Sequence, residues 1–295
     1  MNRSQKFFAE LQEKFTKLLY KEYDLESNKL EELQKTNKKI VLEKIANIML
    51  NYNISDEIMN LNNKDRLEIR AELFEIISNC FIKEIEAEKN KTSELLNNCA
   101  KDKFYSNCYL YSFGVVNYNL KPVSDKVLKD IINVKIDGKN YSDRIWNNKN
   151  DLSKKMKVEV DQFLNGKTSV NEISSRISKR YNQNWDNTNR LVRTEIAKVQ
   201  TQANEVWAKD YDIKKQLFMA TLDFKTSKMC QNYDGKVYNY DDSSKPIPPL
   251  HPNCRSCLIN IVDKDWKPKL RMDNETKERI NWQSYTEWKE NKNIK

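Results

Sequence analysis

The sequence predicts a mainly α protein with a small C-terminal α+β module that contains a short antiparallel sheet. Only four of the 295 residues are glycine and six are proline, so residues that tolerate the backbone of tight hairpins are scarce. Apolar side chains also recur every three or four residues over most of the chain, as one buried face of a helix requires. The period shortens only after residue 216, which places the sheet near the C-terminal end.

Residues 1–100 are predicted to be a helical N-terminal region. Three apolar stripes mark three helices, of which the second ends near the polar stretch 51–55 and the third begins near Asp65. Such stripes usually form a core or contacts between helices, and charged residues fill the outer faces. The stripes consist of Phe7, Leu11, Phe15, Leu18 and Leu19; of Val41, Ile45, Ile48 and Tyr52; and of Leu67, Ala71, Phe74, Ile77, Phe81 and Ile85.

An aromatic run follows over residues 103–118. Its spacing fits a buried helical face, although aromatic rings among lysines also suit stacking on nucleic-acid bases. A short helix is predicted over residues 124–132 and a turn at Asp137-Gly138. A longer helix is predicted over Tyr141–Leu164, and Asn165-Gly166 ends it, since glycine is common just past the last helical residue.

The second half of the chain changes from helical to β patterns. Residues 169–172 have the spacing of a capping box, which predicts that a helix begins there. This helix is expected to end near Tyr181, and another helix is predicted over 186–210. The alternating run LFMATL over residues 217–222 and two short β-branched runs bounded by turns, GKVYNY and CLINIV, then predict a small antiparallel sheet over 216–262. Residues 263–295 are predicted to be a charged tail, with one amphipathic helix that docks on a partner or on the body of the protein. Its isolated anchors are Trp266, Trp282, Tyr285 and Trp288.

Charge and hydropathy limit the classes of partner. The formal net charge is +9, and a basic protein favours a polyanion, most commonly nucleic acid. The alternative is that the many lysines and asparagines reflect a biased genome and cover solvated helix faces. No apolar run approaches the ~18 residues of a membrane span. The charged N-terminus does not resemble a signal peptide, so an intracellular protein with reduced thiols is expected.

Scarce metal-ligating residues are concentrated in the run PPLHPNCRSC. It contains the only histidine, His251, and the C-x-x-C pair Cys254 and Cys257, while Cys230 lies 21 residues before the histidine. Zinc prefers a tetrahedron of thiolates and imidazole, so these four residues are a candidate zinc site. The alternative is a loop held by hydrogen bonds, in which the cysteines are buried.

A second cluster of interest is the helical run RLVRTE, which contains Arg190, Arg193 and Glu195. We expect Arg193 to lie against a carboxylate such as Asp223 or Asp234 and to lock the helix to the sheet. A bidentate pair of arginine and carboxylate supplies geometry as well as energy. The alternative is an arginine that reaches a phosphate group.

No catalytic residues are assigned. The chain lacks the H-E-x-x-H motif, and its four glycines exclude a P-loop and a glycine-rich dinucleotide turn. A cysteine nucleophile with His251 as its base is disfavoured. A base three residues before its nucleophile, on a loop stiffened by prolines, rarely reaches it.

Five motifs in order along the chain are recognisable: GKNYSDRIW, FLNGKTSVNEIS, RLVRTE, D-x-K-T-S-x-x-C-x-x-x-D-G-K-V-Y and PPLHPNCRS. Together they resemble the phage Mu protein F-like family of minor head, or head morphogenesis, proteins. The resemblance covers residues 101–262. Two positions depart from the family pattern, since Ser256 separates Arg255 from Cys257 and Lys225 replaces an arginine. The inserted Ser256 changes the spacing of any metal ligands. Lys225 cannot make the bidentate contacts that an arginine at that position would make.

The resemblance implies a low-copy, non-enzymatic head protein, located in the capsid interior of the virion and in the host cytoplasm during assembly. Its implied partners are the portal protein, scaffold, major capsid protein and double-stranded DNA bound without sequence preference, with residues 1–100 docking on portal or scaffold. The alternatives are a toxin-like ADP-ribosyltransferase or nuclease, and a zinc-dependent DNA-binding protein. Because the sequence ends 38 residues after the cysteine pair, a further catalytic domain is not expected.

Overall fold

The computed structural model describes residues 3–112, 122–261 and 269–292. Within these ranges the protein is mostly helical and its sheets are small and antiparallel, which confirms the predicted fold class. No helix in this part of the chain carries an apolar stretch long enough to cross a bilayer. Some residues with a predicted role are not covered. The structure does not describe the side chains of Phe7, Leu11, Phe15, Leu18, Leu19 and Tyr111, and Phe113, Tyr118 and Trp266 lie outside the described residues.

Helices dominate the first two thirds of the chain, and most of the short strands follow the last long helix. The helices are α1 (Arg3–Asn51), α2 (Asn63–Ser112), α3 (Asp125–Ile132), α4 (Tyr141–Leu164), α5 (Val170–Asp210), α6 (Lys228–Tyr233) and α7 (Tyr285–Asn291). The strands are β1 (Ile54–Ser55), β2 (Ile58–Met59), β3 (Lys215–Met219), β4 (Val237–Asn239), β5 (Cys257–Ile261), β6 (Leu270–Asp273) and β7 (Glu278–Asn281). One sheet has the order β4-β3-β5, and β1-β2 and β6-β7 are separate antiparallel pairs.

The predicted bounds of α3 and α4 are confirmed, because local capping groups fix them. The Ser124 side chain accepts a hydrogen bond at the N-terminus of α3. Asn140 and Asp143 form a capping box at the N-terminus of α4 and satisfy each other's free backbone N–H groups. Gly166, with φ of 68°, follows α4 in the left-handed conformation that glycine adopts most easily.

Two breaks that the sequence predicts are absent. α1 runs unbroken through two predicted helices, and α5 passes without interruption through residues 182–185. Asn184 and Thr188 fill buried positions on α5, so the helical period continues in polar residues that an apolar pattern does not register. The buried face of α2 also differs from the predicted stripe at its start. Leu67 is exposed, and Ile69 is buried instead.

Residues 269–292 fold as a β-hairpin followed by a helix. The prediction of one amphipathic helix for the tail is wrong, because it missed the hairpin. β6 and β7 pair from Leu270–Asn281 to Asp273–Glu278. Ser284 and Glu287 then form a capping box for α7, and Trp288 of α7 is fully buried. The predicted anchoring role of this tryptophan is therefore confirmed, whereas Trp282 stays partly exposed.

Contacts divide the chain into two compact units. The bundle unit comprises Tyr23–Ser93 and Lys135–Val192, and the sheet unit comprises Met1–Glu22, Glu94–Val134 and Arg193–Lys295. The sheet unit has several small apolar clusters around its three-stranded sheet. The bundle unit has one large core, formed by Val41, Ile45, Ile48, Met59, Leu61, Ile69, Leu73, Ile77, Cys80, Phe81, Leu152, Met156, Val160, Phe163, Leu164, Ile173, Ile177 and Tyr181.

A buried ion cluster lies beside the bundle core. The Lys149 ammonium lies 2.8 Å from a Glu88 oxygen and 3.2 Å from a Glu84 oxygen. It donates hydrogen bonds to Asn184 at 2.7 Å and to Thr188 at 3.2 Å. All five side chains are buried, so each charge depends on its partners to replace the water it has lost.

Replacing Lys149 with Met is expected to lower the free energy of unfolding by about 3–5 kcal/mol, because two carboxylates lose their buried counter-charge. Urea denaturation followed by circular dichroism measures the change. Lys154→Met is the control, since Lys154 is exposed on the same helix and its replacement should change stability by less than about 0.5 kcal/mol. Equal stability of the two variants would contradict this account of the cluster.

Candidate functional site

Two loops of the sheet unit bring the sequence motifs together. The first leaves β3, passes through α6 and returns as β4, and the second precedes β5, which pairs with β3 along its whole length. The Ser227 side chain caps α6 by accepting a hydrogen bond from the backbone N–H of Cys230. This cap fixes Cys230 in the first turn of α6, where its side chain faces the second loop.

The structure brings together three of the four predicted metal ligands. The Cys230 sulfur lies 3.7 Å from the Cys254 sulfur and 3.3 Å from Nε2 of His251. The ligand atoms of all three residues lie within 4.8 Å of one another. Cys257 is not in this group, because it begins β5 and pairs with Met219 of β3. The prediction of Cys257 as the fourth ligand is therefore not supported by the geometry.

Both cysteines are buried, and His251 is partly exposed. The hydrogen bond from the Cys230 thiol, with help from backbone N–H groups of Leu250 and Ser256, lowers the pKa of Cys254 to about 5 against the opposing effect of burial. Donation of this hydrogen bond, together with burial, raises the pKa of Cys230. The same hydrogen bond thus places the pKa of Cys254 below that of Cys230, and the thiolate is the form of cysteine that binds metals.

Asp223 anchors the start of the first loop. Its carboxylate accepts two hydrogen bonds from Arg255, one of them at 2.9 Å, and others from the Thr226 hydroxyl and the backbone N–H of Lys225. Burial raises the pKa of Asp223, but the hydrogen bonds from Arg255 and Thr226 have the larger effect, so that the pKa of this carboxyl lies below its usual value. Arg255 thus forms the bidentate pair with Asp223, whereas the prediction named Arg193.

Asp234 anchors the end of the same loop and connects it to the C-terminal hairpin. Its two oxygens accept bonds from Arg271 at 2.8 and 3.1 Å, from the backbone N–H of Ala220 at 2.7 Å and from that of Tyr285 at 2.7 Å. Arg271 is also buried and donates to the Ala220 carbonyl at 2.6 Å. Its guanidinium also lies over the Trp282 ring, 4.6 Å from the centroid. The sequence offers no signal for Arg271, because 37 residues separate it from Asp234.

The RLVRTE run meets the second loop through its threonine. The Thr194 hydroxyl accepts a hydrogen bond at 3.0 Å from the backbone N–H of Asn253. Glu195 is buried and forms an ion pair with Lys198. Arg190 and Arg193 are exposed on α5, and Arg190 donates to Asn187 at 3.0 Å. The expected contact of Arg193 with Asp223 or Asp234 is not formed, because these carboxylates pair with Arg255 and Arg271, and the helix meets the loop through Thr194.

Residues 154–259 match the family described as Phage Mu protein F like protein. This stretch is a Mu F-like region. The match confirms the resemblance and indicates a phage head morphogenesis protein. It includes Asp223, Asp234 and the cluster of Cys230, His251 and Cys254. The wider domain predicted over residues 101–262 stays a prediction.

Among curated proteins, the chain is similar to NAD(+)–arginine ADP-ribosyltransferase EFV of Enterococcus faecalis. The two are 28% identical over an alignment of 182 residues, which covers 56% of this chain and 37% of the relative. The chain thus spans little more than a third of the relative's length. No solved structure matches the chain.

Replacing Arg271 with Met is expected to lower the free energy of unfolding by about 3–5 kcal/mol, because Asp234 would stay buried without its counter-charge. Limited proteolysis should then cut the hairpin earlier than in the unaltered protein. Arg279→Met is the matched control, since Arg279 faces solvent on the partner strand. If both variants resist urea and protease equally, the ion pair of Arg271 and Asp234 does not stabilise the contact between the loop and the C-terminal hairpin.

Proposed function

We propose that the chain is a non-catalytic head morphogenesis protein of a tailed phage, incorporated into the procapsid near the portal. This proposal places it in the capsid interior of the virion, and in the host cytoplasm during assembly. The observation that carries this proposal is that the motif residues make structural contacts. Asp223, Asp234 and Thr194 hold loops of the fold together, which is the role of a structural module. The Mu F-like match supports the same role.

Contact with portal or scaffold protein is the first part of the proposed function. Trp146 belongs to the YSDRIW motif, yet 53% of its surface is exposed, whereas its neighbours Tyr141 and Ile145 are buried. Exposed tryptophans are unusual on a surface without a partner and often dominate the energy of an interface. The predicted docking of residues 1–100 is consistent with exposed apolar side chains there, such as Leu50 and Leu67.

Trp146→Ala is expected to weaken co-purification with the portal protein at least about 10-fold, because it removes an interface tryptophan. The experiment expresses the full chain with portal, scaffold and major capsid proteins and measures its copy number in purified procapsids. Val158→Ala is the control, since Val158 is also exposed on α4 at 55% and should leave incorporation unchanged. Procapsids that exclude the unaltered chain would refute the proposed function. Equal incorporation of the two variants would refute only the role of Trp146.

Contact with packaged DNA is the second part, and the net charge of +9 supports it. Binding through lysines and phosphates releases counterions, so the logarithm of the affinity should fall linearly with the logarithm of the salt concentration. We expect two unrelated duplexes of equal length to bind equally well, because phosphate contacts carry no sequence information. Fluorescence anisotropy at several salt concentrations measures both. An affinity that does not change with salt would contradict the DNA contact.

The relative from Enterococcus faecalis supports a second candidate, transfer of ADP-ribose from NAD(+) to arginine, which is the activity that its name states. We favour the structural role because the family match lies on the motif residues described above. Incubation with labelled NAD(+) and an arginine-rich acceptor protein separates the two candidates. Our proposal expects no label in the acceptor. Transfer of label by the purified chain would replace it with the enzymatic function.

A further inference from the structure

We propose that Cys230, His251 and Cys254 bind one zinc ion, with Cys257 excluded. The site goes beyond the proposed role in head assembly and does not depend on it. It joins the first turn of α6 to the loop before β5, two segments that lie 21 or more residues apart in the chain. Two thiolates and an imidazole are soft and borderline donors, and zinc is the metal that this set holds most commonly.

The distances between the donor atoms fit a tetrahedral zinc ion. Zinc–sulfur bonds of ~2.3 Å and zinc–nitrogen bonds of ~2.0 Å, meeting at tetrahedral angles, separate two sulfurs by ~3.8 Å and sulfur from nitrogen by ~3.5 Å. The corresponding separations are 3.7 Å between Cys230 and Cys254, and 3.3 Å between Cys230 and His251. Two of the three donor separations therefore already match a tetrahedral ion, and the third, between Cys254 and His251, lies within 4.8 Å.

The surroundings of the three donors are those of a metal site. His251 Nδ1 lies 2.9 Å from the Pro252 carbonyl oxygen, which can only accept, so Nδ1 carries the proton. The lone pair of Nε2 then faces the Ser227 hydroxyl at 2.9 Å and the Cys230 sulfur at 3.3 Å, and zinc would replace the hydroxyl as its partner. Hydrogen bonding of the second ring nitrogen to a carbonyl is the usual way in which proteins orient a histidine ligand. Both sulfurs are buried against Phe218 and Leu258, which excludes water from that side.

The fourth coordination position has no protein ligand among the described residues, since no further cysteine, histidine or carboxylate joins the group. Water or a donor from a partner protein would complete the tetrahedron, as in zinc sites with three protein ligands. His251, the one partly exposed member of the group, indicates the side from which that ligand would enter.

The test measures zinc in the full chain after purification and dialysis, by inductively coupled plasma mass spectrometry. We expect about one zinc per chain, and less than about 0.1 in Cys230→Ser, Cys254→Ser and His251→Ala. Cys257→Ser is the matched control and should keep the zinc. This control separates a site of three ligands from the four-ligand site that the sequence predicts, because both would bind the metal in the unaltered chain.

Cobalt substitution tests the ligands without relying on the folding of a variant. The unaltered chain should bind Co²⁺ with the near-ultraviolet absorption of cobalt–thiolate bonds, and added Zn²⁺ should abolish this absorption. Far-ultraviolet circular dichroism identifies variants that fail to fold. Three results would overturn the proposal: no zinc and no thiolate band in the folded chain, zinc retained by folded Cys254→Ser, or zinc lost from folded Cys257→Ser.

Discussion

The sheet unit depends on one buried ion pair, between Asp234 and Arg271. Asp234 ends α6, and its oxygens also accept backbone N–H groups from the residue after β3 and from the first residue of α7. One carboxylate therefore orients four segments, and Arg271 supplies the charge that makes its burial tolerable. The C-terminal hairpin belongs structurally to the Mu F-like region, although it lies beyond residue 259, where the family match ends.

The candidate zinc site and the two aspartates act on the same pair of loops. Asp223 and Asp234 fix the two ends of the segment that contains Cys230, while Arg255 and Asn253 fix the segment that contains Cys254. The donor atoms are thus positioned by bonds on either side of them. A site on loops needs such support to keep its geometry, since loops are otherwise the most mobile parts of a fold.

Much of this fold can be predicted from the sequence where apolar period and capping residues agree. The bounds of α3 and α4 follow from Ser124, Asn140 and Gly166. The strands β4 and β5 follow from short β-branched runs, whereas the signal for β3 is an alternating run that begins within it. The unbroken α5 could not be predicted, because Asn184 and Thr188 occupy buried positions with polar side chains. Their partners lie on other helices and leave no trace in the local pattern.

The candidate site was predictable in composition and less so in detail. The rarity of histidine singled out His251, and the C-x-x-C spacing suggested both Cys254 and Cys257. That spacing does not reveal that Cys257 already belongs to β5, where pairing with Met219 of β3 fixes its backbone. The arginines on Asp223 and Asp234 were equally hidden, since Arg255 and Arg271 reach their carboxylates only through the tertiary fold.

The ion cluster around Lys149 has a consequence for how the long helices of the bundle unit find their alignment. Apolar stripes that repeat every turn permit neighbouring helices to slip along each other by one turn at little energetic cost. Glu84 and Glu88 stand one turn apart on α2, so a slip of one turn against α4 would keep at most one of them beside Lys149 and would leave the other carboxylate buried without its counter-charge. The cluster thus favours one alignment of α2 and α4, which the apolar contacts of the bundle alone would leave ambiguous.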